Sequence, residues 1–102
     1  MSLESKIKII VTRDSVCAAD DYIDPPHTKI FEIDSPIQTK ELIKKIEKDY
    51  LPKMSSFGYK WKLFLNNRWI GTSSFFRNHI EIKNPDYLEE NILHCRYKSA
   101  SW

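Results

Sequence analysis

The stretch SPIQTKELIKKIEKDYLP, residues 35–52, decides the fold class of this chain. Lysines and glutamates occupy one side of the predicted helix, and apolar residues recur at helical spacing on the other. Two starts are open: Ser35 with Gln38 fits a capping box, and Thr39 is a second candidate cap. Pro52 ends the helix. The apolar stripe consists of Leu42, Ile43, Ile46 and Tyr50.

Short segments with alternating polarity lie on both sides of this helix and predict strands. The predicted strands are 6–13, 28–34, 59–65, 68–76, 78–83 and 92–98. Asn66 and Asn67 fit a two-residue hairpin turn, because asparagine tolerates positive φ. The segment NPDYLEEN, 84–91, has a cap followed by proline and predicts one or two helical turns.

The order β-β-α-β-β-(short helix)-β predicts an α+β fold in which one amphipathic helix packs on a mixed sheet. We expect a β-grasp-like, ubiquitin-like arrangement, with the first two strands antiparallel and a later strand parallel to the first. A length of 102 residues predicts one domain, 1–102. The ends, 1–5 and 99–102, are expected to be flexible.

Composition indicates a globular domain, since 41% hydrophobic and 29% charged residues are ordinary values for that class. No apolar run approaches the length of a membrane span, and the first ten residues lack the features of a signal peptide. These features predict a cytoplasmic protein. Because the cytosol keeps thiols reduced, we expect Cys17 and Cys95 to be free.

Charge is distributed unevenly along the chain, although the net charge is only +2. Residues 14–34 hold six acidic residues against one lysine, whereas residues 53–83 hold six basic residues against one glutamate. Such segments either neutralise each other or form two faces of opposite sign. Faces of opposite sign steer charged partners.

The acidic segment RDSVCAADDYIDPPH, 13–27, contains a predicted loop at 15–26. It lacks the glycine and terminal glutamate of a calcium loop, and no histidine or cysteine spacing fits zinc. Adjacent loop aspartates more often cap turns than form a catalytic pair. We therefore predict no metal, no cofactor and no enzymatic activity, and interpret the loop as a protein-binding surface. Its candidate contact residues are Asp14, Asp20, Asp21, Tyr22, Asp24 and His27.

An alternative is nucleic-acid binding by a basic sheet, because residues 60–77 combine basic with aromatic side chains. Trp61 alternates with the neighbouring lysines, so it is expected to face the core instead of a ligand. The candidate nucleic-acid residues are Lys60, Lys62, Arg68 and Arg77.

The pattern IIVTRDSVCAADDYIDPPH, followed by an FEI strand and a helix ending in YLP, resembles a group of small bacterial β-grasp-like proteins. The steps RDSV, DD and PH carry the resemblance, which covers roughly residues 7–52. The group is similar to immunity or accessory proteins encoded beside bacterial toxins. The resemblance implies a non-enzymatic inhibitor whose acidic loop would mimic phosphate and bind a basic toxin domain such as a nuclease.

Overall fold

A computed structural model describes residues 6–14, 28–51, 60–74 and 77–98. Within these ranges the chain forms six strands and one helix. In chain order the elements are β1 (Ile7–Arg13), β2 (Lys29–Ile33), α1 (Thr39–Asp49), β3 (Lys60–Leu65), β4 (Arg68–Ser74), β5 (His79–Ile80) and β6 (Glu90–Lys98).

The strands form one mixed sheet in the order β2-β1-β6-β3-β4-β5. β1 pairs antiparallel with β2 and parallel with β6, and the remaining pairs are antiparallel. The predicted α+β class, the antiparallel first pair and the later strand parallel to the first are therefore confirmed. α1 has eleven residues, and no helix in the described ranges is long and apolar enough to cross a membrane.

The hydrophobic core lies between α1 and one face of the sheet. Trp61 is fully buried there, as its alternation with the lysines predicts. Leu42, Ile43 and Ile46 of α1 are buried against apolar residues from β1, β2, β3, β4 and β6. The opposite face carries the alternate residues of each strand, and no helix within the described residues covers it. We call it the open face.

The start of α1 differs from both predicted starts. The cap is Gln38, whose backbone N–H donates to Glu41 Oε1 at 3.2 Å. Thr39 is the first helical residue, because its N–H donates to the Lys83 carbonyl at 2.9 Å and its hydroxyl donates to the Ile82 carbonyl. These bonds to a distant segment set the boundary, and local sequence does not reveal them. The Asn66–Asn67 turn is confirmed, with φ of 51° and 71°.

The predicted strand at 78–83 is reduced to the two residues of β5. A bulge lies beside the end of β5, since the β3–β4 register shifts between Leu63 and Phe64 and leaves Ile70 without an opposite residue. The Ile70 carbonyl then accepts the N–H groups of both Glu81 and Ile82, at 2.9 and 3.0 Å. The chain bends at this point and leaves the sheet.

The predicted helical turns at 84–91 are wrong, because this segment is not helical and β6 begins within it, at Glu90. Buried Asn91 explains the difference. Its Oδ1 accepts the Leu88 N–H at 2.8 Å, and its Nδ2 donates to the Leu88 carbonyl at 2.9 Å. A side chain thus satisfies backbone groups that a helix would have paired. The Tyr87 hydroxyl fixes the segment further by donating to the Ile37 carbonyl at 3.0 Å.

Candidate functional site

The open face arranges its side chains in rows, because paired residues on neighbouring antiparallel strands share a face. Between β3 and β6, Lys60 lies opposite Lys98, Lys62 opposite Arg96, and Phe64 opposite His94. β4 extends these rows, with Ser74 opposite Lys60, Thr72 opposite Lys62 and Trp69 opposite Phe64. One end of the face therefore carries two basic rows beside an aromatic row.

Two consecutive cross-strand pairs on this face have like charge. Directly opposite residues bring their Cβ atoms to about 4.5–5.5 Å, where like charges destabilise a sheet. Lys60–Lys98 and Lys62–Arg96 are both of this kind. Among the described residues, no carboxylate forms an ion pair with Lys62, Arg96 or Lys98. An anionic ligand would relieve this repulsion.

Aromatic rings lie beside two of these cations. The Lys62 ammonium lies 5.5 Å from the centre of the Trp69 ring, and the Arg96 guanidinium lies 5.8 Å from the centre of the Phe64 ring. Trp69 also stacks on His79, with ring centres 5.3 Å apart and planes at 22°. Its Nε1 donates to the Thr72 hydroxyl at 3.1 Å, which fixes the indole. Rings held beside cations can contact both the bases and the phosphates of a nucleic acid.

Two concave sites lie along the basic rows and share Lys62. The larger, of about 350 Å³, is lined by three cations (Lys60, Lys62, Arg77), two rings (Trp69, His79) and two hydroxyls (Thr72, Ser74). The smaller, of about 110 Å³, is lined by Lys62, Phe64, Arg96, Tyr97 and Lys98. We call their five cations, Lys60, Lys62, Arg77, Arg96 and Lys98, the basic strip. Two of these cations lie on β3 and two on β6, while Arg77 lies between β4 and β5.

Hydrogen bonds to Ser74, the last residue of β4, hold Arg77 and Asn78 beside the end of that strand. The Ser74 N–H donates to Asn78 Oδ1 at 3.1 Å, and the Arg77 N–H donates to the Ser74 hydroxyl oxygen at 3.1 Å. On β5, His79 Nε2 lies 3.0 Å from Glu81 Oε1, so this carboxylate partly offsets the positive charge at that end. The other four cations of the basic strip lie on β3 and β6.

The candidates for nucleic-acid binding divide between two places. Lys60, Lys62 and Arg77 lie together in the larger concave site. Arg68 lies opposite Leu65 and lines a separate groove of about 240 Å³ with residues such as Asp86, so it is not part of the strip. Sequence reasoning missed the cations of β6, because the position of β6 beside β3 is a long-range property. The sequence did show that Arg96 and Lys98 are two residues apart on the last predicted strand, which places them on the same face.

Asp14 is the one candidate contact residue of the acidic segment within the described ranges, and it is tied to the sheet. Its Oδ1 lies 2.9 Å from His94 Nε2, and its Oδ2 accepts the Tyr97 N–H at 3.0 Å. The other ring nitrogen of His94 lies 2.8 Å from the Thr12 hydroxyl. Because a carboxylate only accepts, Nε2 carries the proton, and Nδ1 of a neutral ring accepts from Thr12. Asp14 thus fixes the end of β1 against β6.

The other candidate contact residues lie outside the described residues: Asp20, Asp21, Tyr22, Asp24 and His27. Cys17 and the ends at 1–5 and 99–102 also lie outside them. Within the described ranges, no three histidine, cysteine or acidic side chains come together as metal ligands.

Cys95 lies directly behind the strip, on the core side of β6. It is a free cysteine that is fully buried. Burial raises the pKa of its thiol to about 12, although nearby Arg13 opposes this shift. A thiol with such a pKa is a poor nucleophile at neutral pH. Cys95 is therefore a packing residue.

Comparisons with protein families, with curated proteins and with solved structures give no match. The geometry of the structure defines a small α+β domain whose open face carries a basic strip with adjoining aromatic rings. The residues on this face are suited to binding an anion; the described part of the chain brings no metal-ligand cluster to it.

Proposed function

We propose that this protein binds single-stranded nucleic acid across the open face of its sheet. The observation that carries the proposal is that two consecutive cross-strand pairs, Lys60–Lys98 and Lys62–Arg96, have like charge. Such pairs destabilise the sheet because like charges repel. Bound phosphates would neutralise these charges, so removal of the repulsion would add to the free energy of binding.

The aromatic rings support a single-stranded ligand over a duplex. Phe64 and Trp69 are paired across β3 and β4 on the open face, and both are partly exposed. Unpaired bases stack on such rings with about 1–3 kcal/mol per base. In a duplex the bases already stack on each other, so the rings would contribute nothing. In this arrangement the basic strip contacts the phosphates of the nucleic acid, and the aromatic rings contact its bases.

The test is fluorescence anisotropy with labelled single-stranded RNA and DNA of mixed sequence, measured over a series of salt concentrations. For single strands, the slope of log affinity against log salt falls by about 0.7 for each phosphate contact that is lost. Lys62→Ala and Arg96→Ala should each weaken binding and reduce the slope by about that amount. Phe64→Ala should weaken binding with little change in slope, because stacking releases no counterions.

Arg68→Ala is the matched control, because it removes one cation that lies outside the strip. It should leave both affinity and salt slope close to those of the natural protein. The proposal fails if no saturable binding occurs at about 50 mM salt. It also fails if Arg68→Ala has the same effect as Lys62→Ala, since binding would then depend on net charge alone.

A second proposal is the immunity-type inhibitor of a basic toxin domain, with the acidic loop as its contact surface. It rests on the acidic excess of residues 14–34, six acidic residues against one lysine, because the Asp14 carboxylate is itself bound to His94 and to the Tyr97 N–H. The test is a tagged pull-down from the native cell with nuclease treatment in parallel. A protein partner should be recovered despite the nuclease, and it should be lost when asparagine replaces Asp20, Asp21 and Asp24. Loss of the partner on nuclease treatment would instead favour the nucleic-acid proposal.

Two finer predictions belong with these proposals. The central parallel pair β1–β6, flanked by β2 and β3, supports a β-grasp-like topology. A cytoplasmic setting is supported by free, buried Cys95, since the cytosol keeps thiols reduced. Both apply to either function.

A further inference from the structure

An apolar row crosses the open face away from the basic strip and ends at the edge of the sheet. Ile10 of β1 lies opposite Ile92 of β6 on one side and opposite Ile30 of β2 on the other. Ile92 is 58% exposed and Ile30 is 55% exposed. β2 is the outermost strand on this side, so the row reaches the sheet edge with its last isoleucine largely in water.

Within the described residues, the lysine of edge strand β2 does not project from the sheet edge. Edge strands commonly use a lysine to discourage the approach of another strand. Lys29 is the lysine of β2, but its ammonium donates to the Asp49 carbonyl at the end of α1, at 3.2 Å. The same ammonium lies 5.4 Å from the centre of the Phe31 ring. Lys29 is therefore held towards the helix instead of projecting from the edge.

We propose that β2 pairs antiparallel with β2 of a second copy of this chain, about a two-fold axis through Ile30. Such an interface is isologous, so each residue must suit its opposite in the same strand. In this register Ile30 meets Ile30 of the second copy, and the isoleucine row continues unbroken from one sheet into the next. This inference is independent of the proposed nucleic-acid function.

The neighbouring pairs in this register are also compatible. Lys29 lies opposite Phe31 of the second copy, and a lysine ammonium already lies beside the Phe31 ring within one chain. Glu32 meets Thr28 of the second copy, so no like charges oppose each other. Moving the axis to Phe31 would place Glu32 opposite Ile30 and break the row. Shifting by a single residue would instead pair side chains from opposite faces.

The pairing is expected to be weak, because a five-residue strand offers less contact area than a standard interface of about 1,600 Å². The two open faces lie on the same side of the joined sheet, since paired antiparallel residues share a face. The basic strip of each copy remains uncovered. Association would therefore show only at high protein concentration and would leave ligand binding possible.

The test is sedimentation velocity over a concentration series up to about 1 mM, the range in which weak complexes form. The natural protein should shift towards a dimer as concentration rises. Ile30→Lys and Ile30→Glu should each weaken association by about tenfold or more, because each places like charges opposite each other. A mixture of the two variants should associate at least as well as the natural protein, because opposite charges then meet.

Ile92→Lys is the matched control, since it introduces the same charge in the same row at similar exposure, away from the edge. It should leave association within about twofold of the natural value. Thermal unfolding of each variant shows whether it is folded, and the mixture supplies a gain that misfolding cannot mimic. The inference is overturned if the natural protein stays monomeric throughout, if Ile92→Lys weakens association as much as Ile30→Lys, or if the mixture fails to associate.

Discussion

The Lys98→Glu substitution should make the protein more stable while making it a poorer ligand binder. It converts the Lys60–Lys98 contact from like to opposite charge. A favourable cross-strand pair contributes about 0.2–1 kcal/mol, and the repulsion that it replaces is of similar size. Because this pair lies at the ends of β3 and β6, where strands fray, we expect a net gain of about 0.5–1 kcal/mol. The midpoint of thermal unfolding should rise by about 2–8 °C.

The assay is urea unfolding followed by circular dichroism, at about 0.01 M and about 1 M salt. The screening length falls from about 30 Å to about 3 Å over this range, so the gain should be present at low salt and largely lost at high salt. Arg68→Glu changes the net charge equally outside the strip and should give no comparable gain. A lower stability of Lys98→Glu at low salt, or a gain that persists at 1 M salt, would refute the assignment of repulsion to this pair.

Three further predictions test the framework that holds the strip. Asn91→Leu should lower the free energy of unfolding by about 1–3 kcal/mol, measured by urea unfolding, because partly buried backbone groups of Leu88 and Lys8 lose their side-chain partner. Gly71→Ala should cost about 1–3 kcal/mol and perturb the amide resonances of β5, because a Cβ would lie 2.8 Å from the His79 carbonyl oxygen. The raised pKa of Cys95 favours the protonated thiol in the folded state, so its contribution to stability is complete below pH 9 and is lost as pH rises towards 12. In a Cys17→Ser background, a thiol reagent at pH 8 should therefore react with the native protein far more slowly than with the unfolded protein, and equal rates would contradict this burial.

Local patterns were sufficient for most of the elements. The helix follows from a stripe of apolar residues, and the alternation of Trp61 with its lysines correctly places that indole in the core. The Asn66–Asn67 turn follows from the tolerance of asparagine for positive φ. Each of these features depends on residues that are close together in the sequence.

The arrangement of the open face could not be read from the sequence, because it depends on which strands become neighbours. The last strand inserts between the first and the third, and this places Arg96 opposite Lys62 and Lys98 opposite Lys60. The bulge near Phe64, beside which the predicted fifth strand is shortened to two residues, was equally hidden. These long-range pairings also separate Arg68 from the other predicted nucleic-acid residues.

Chemical-shift mapping by NMR tests the central claim most directly, because it locates the bound ligand on the surface. The protein would be labelled with nitrogen-15 and titrated with a short single-stranded oligonucleotide. We expect the Trp69 indole N–H resonance and the amides of β3 and β6 beside the basic strip to shift, while the resonance of the buried Trp61 indole stays in place. Shifts confined to the acidic segment at residues 15–26, or no shifts at low salt, would contradict binding on the open face.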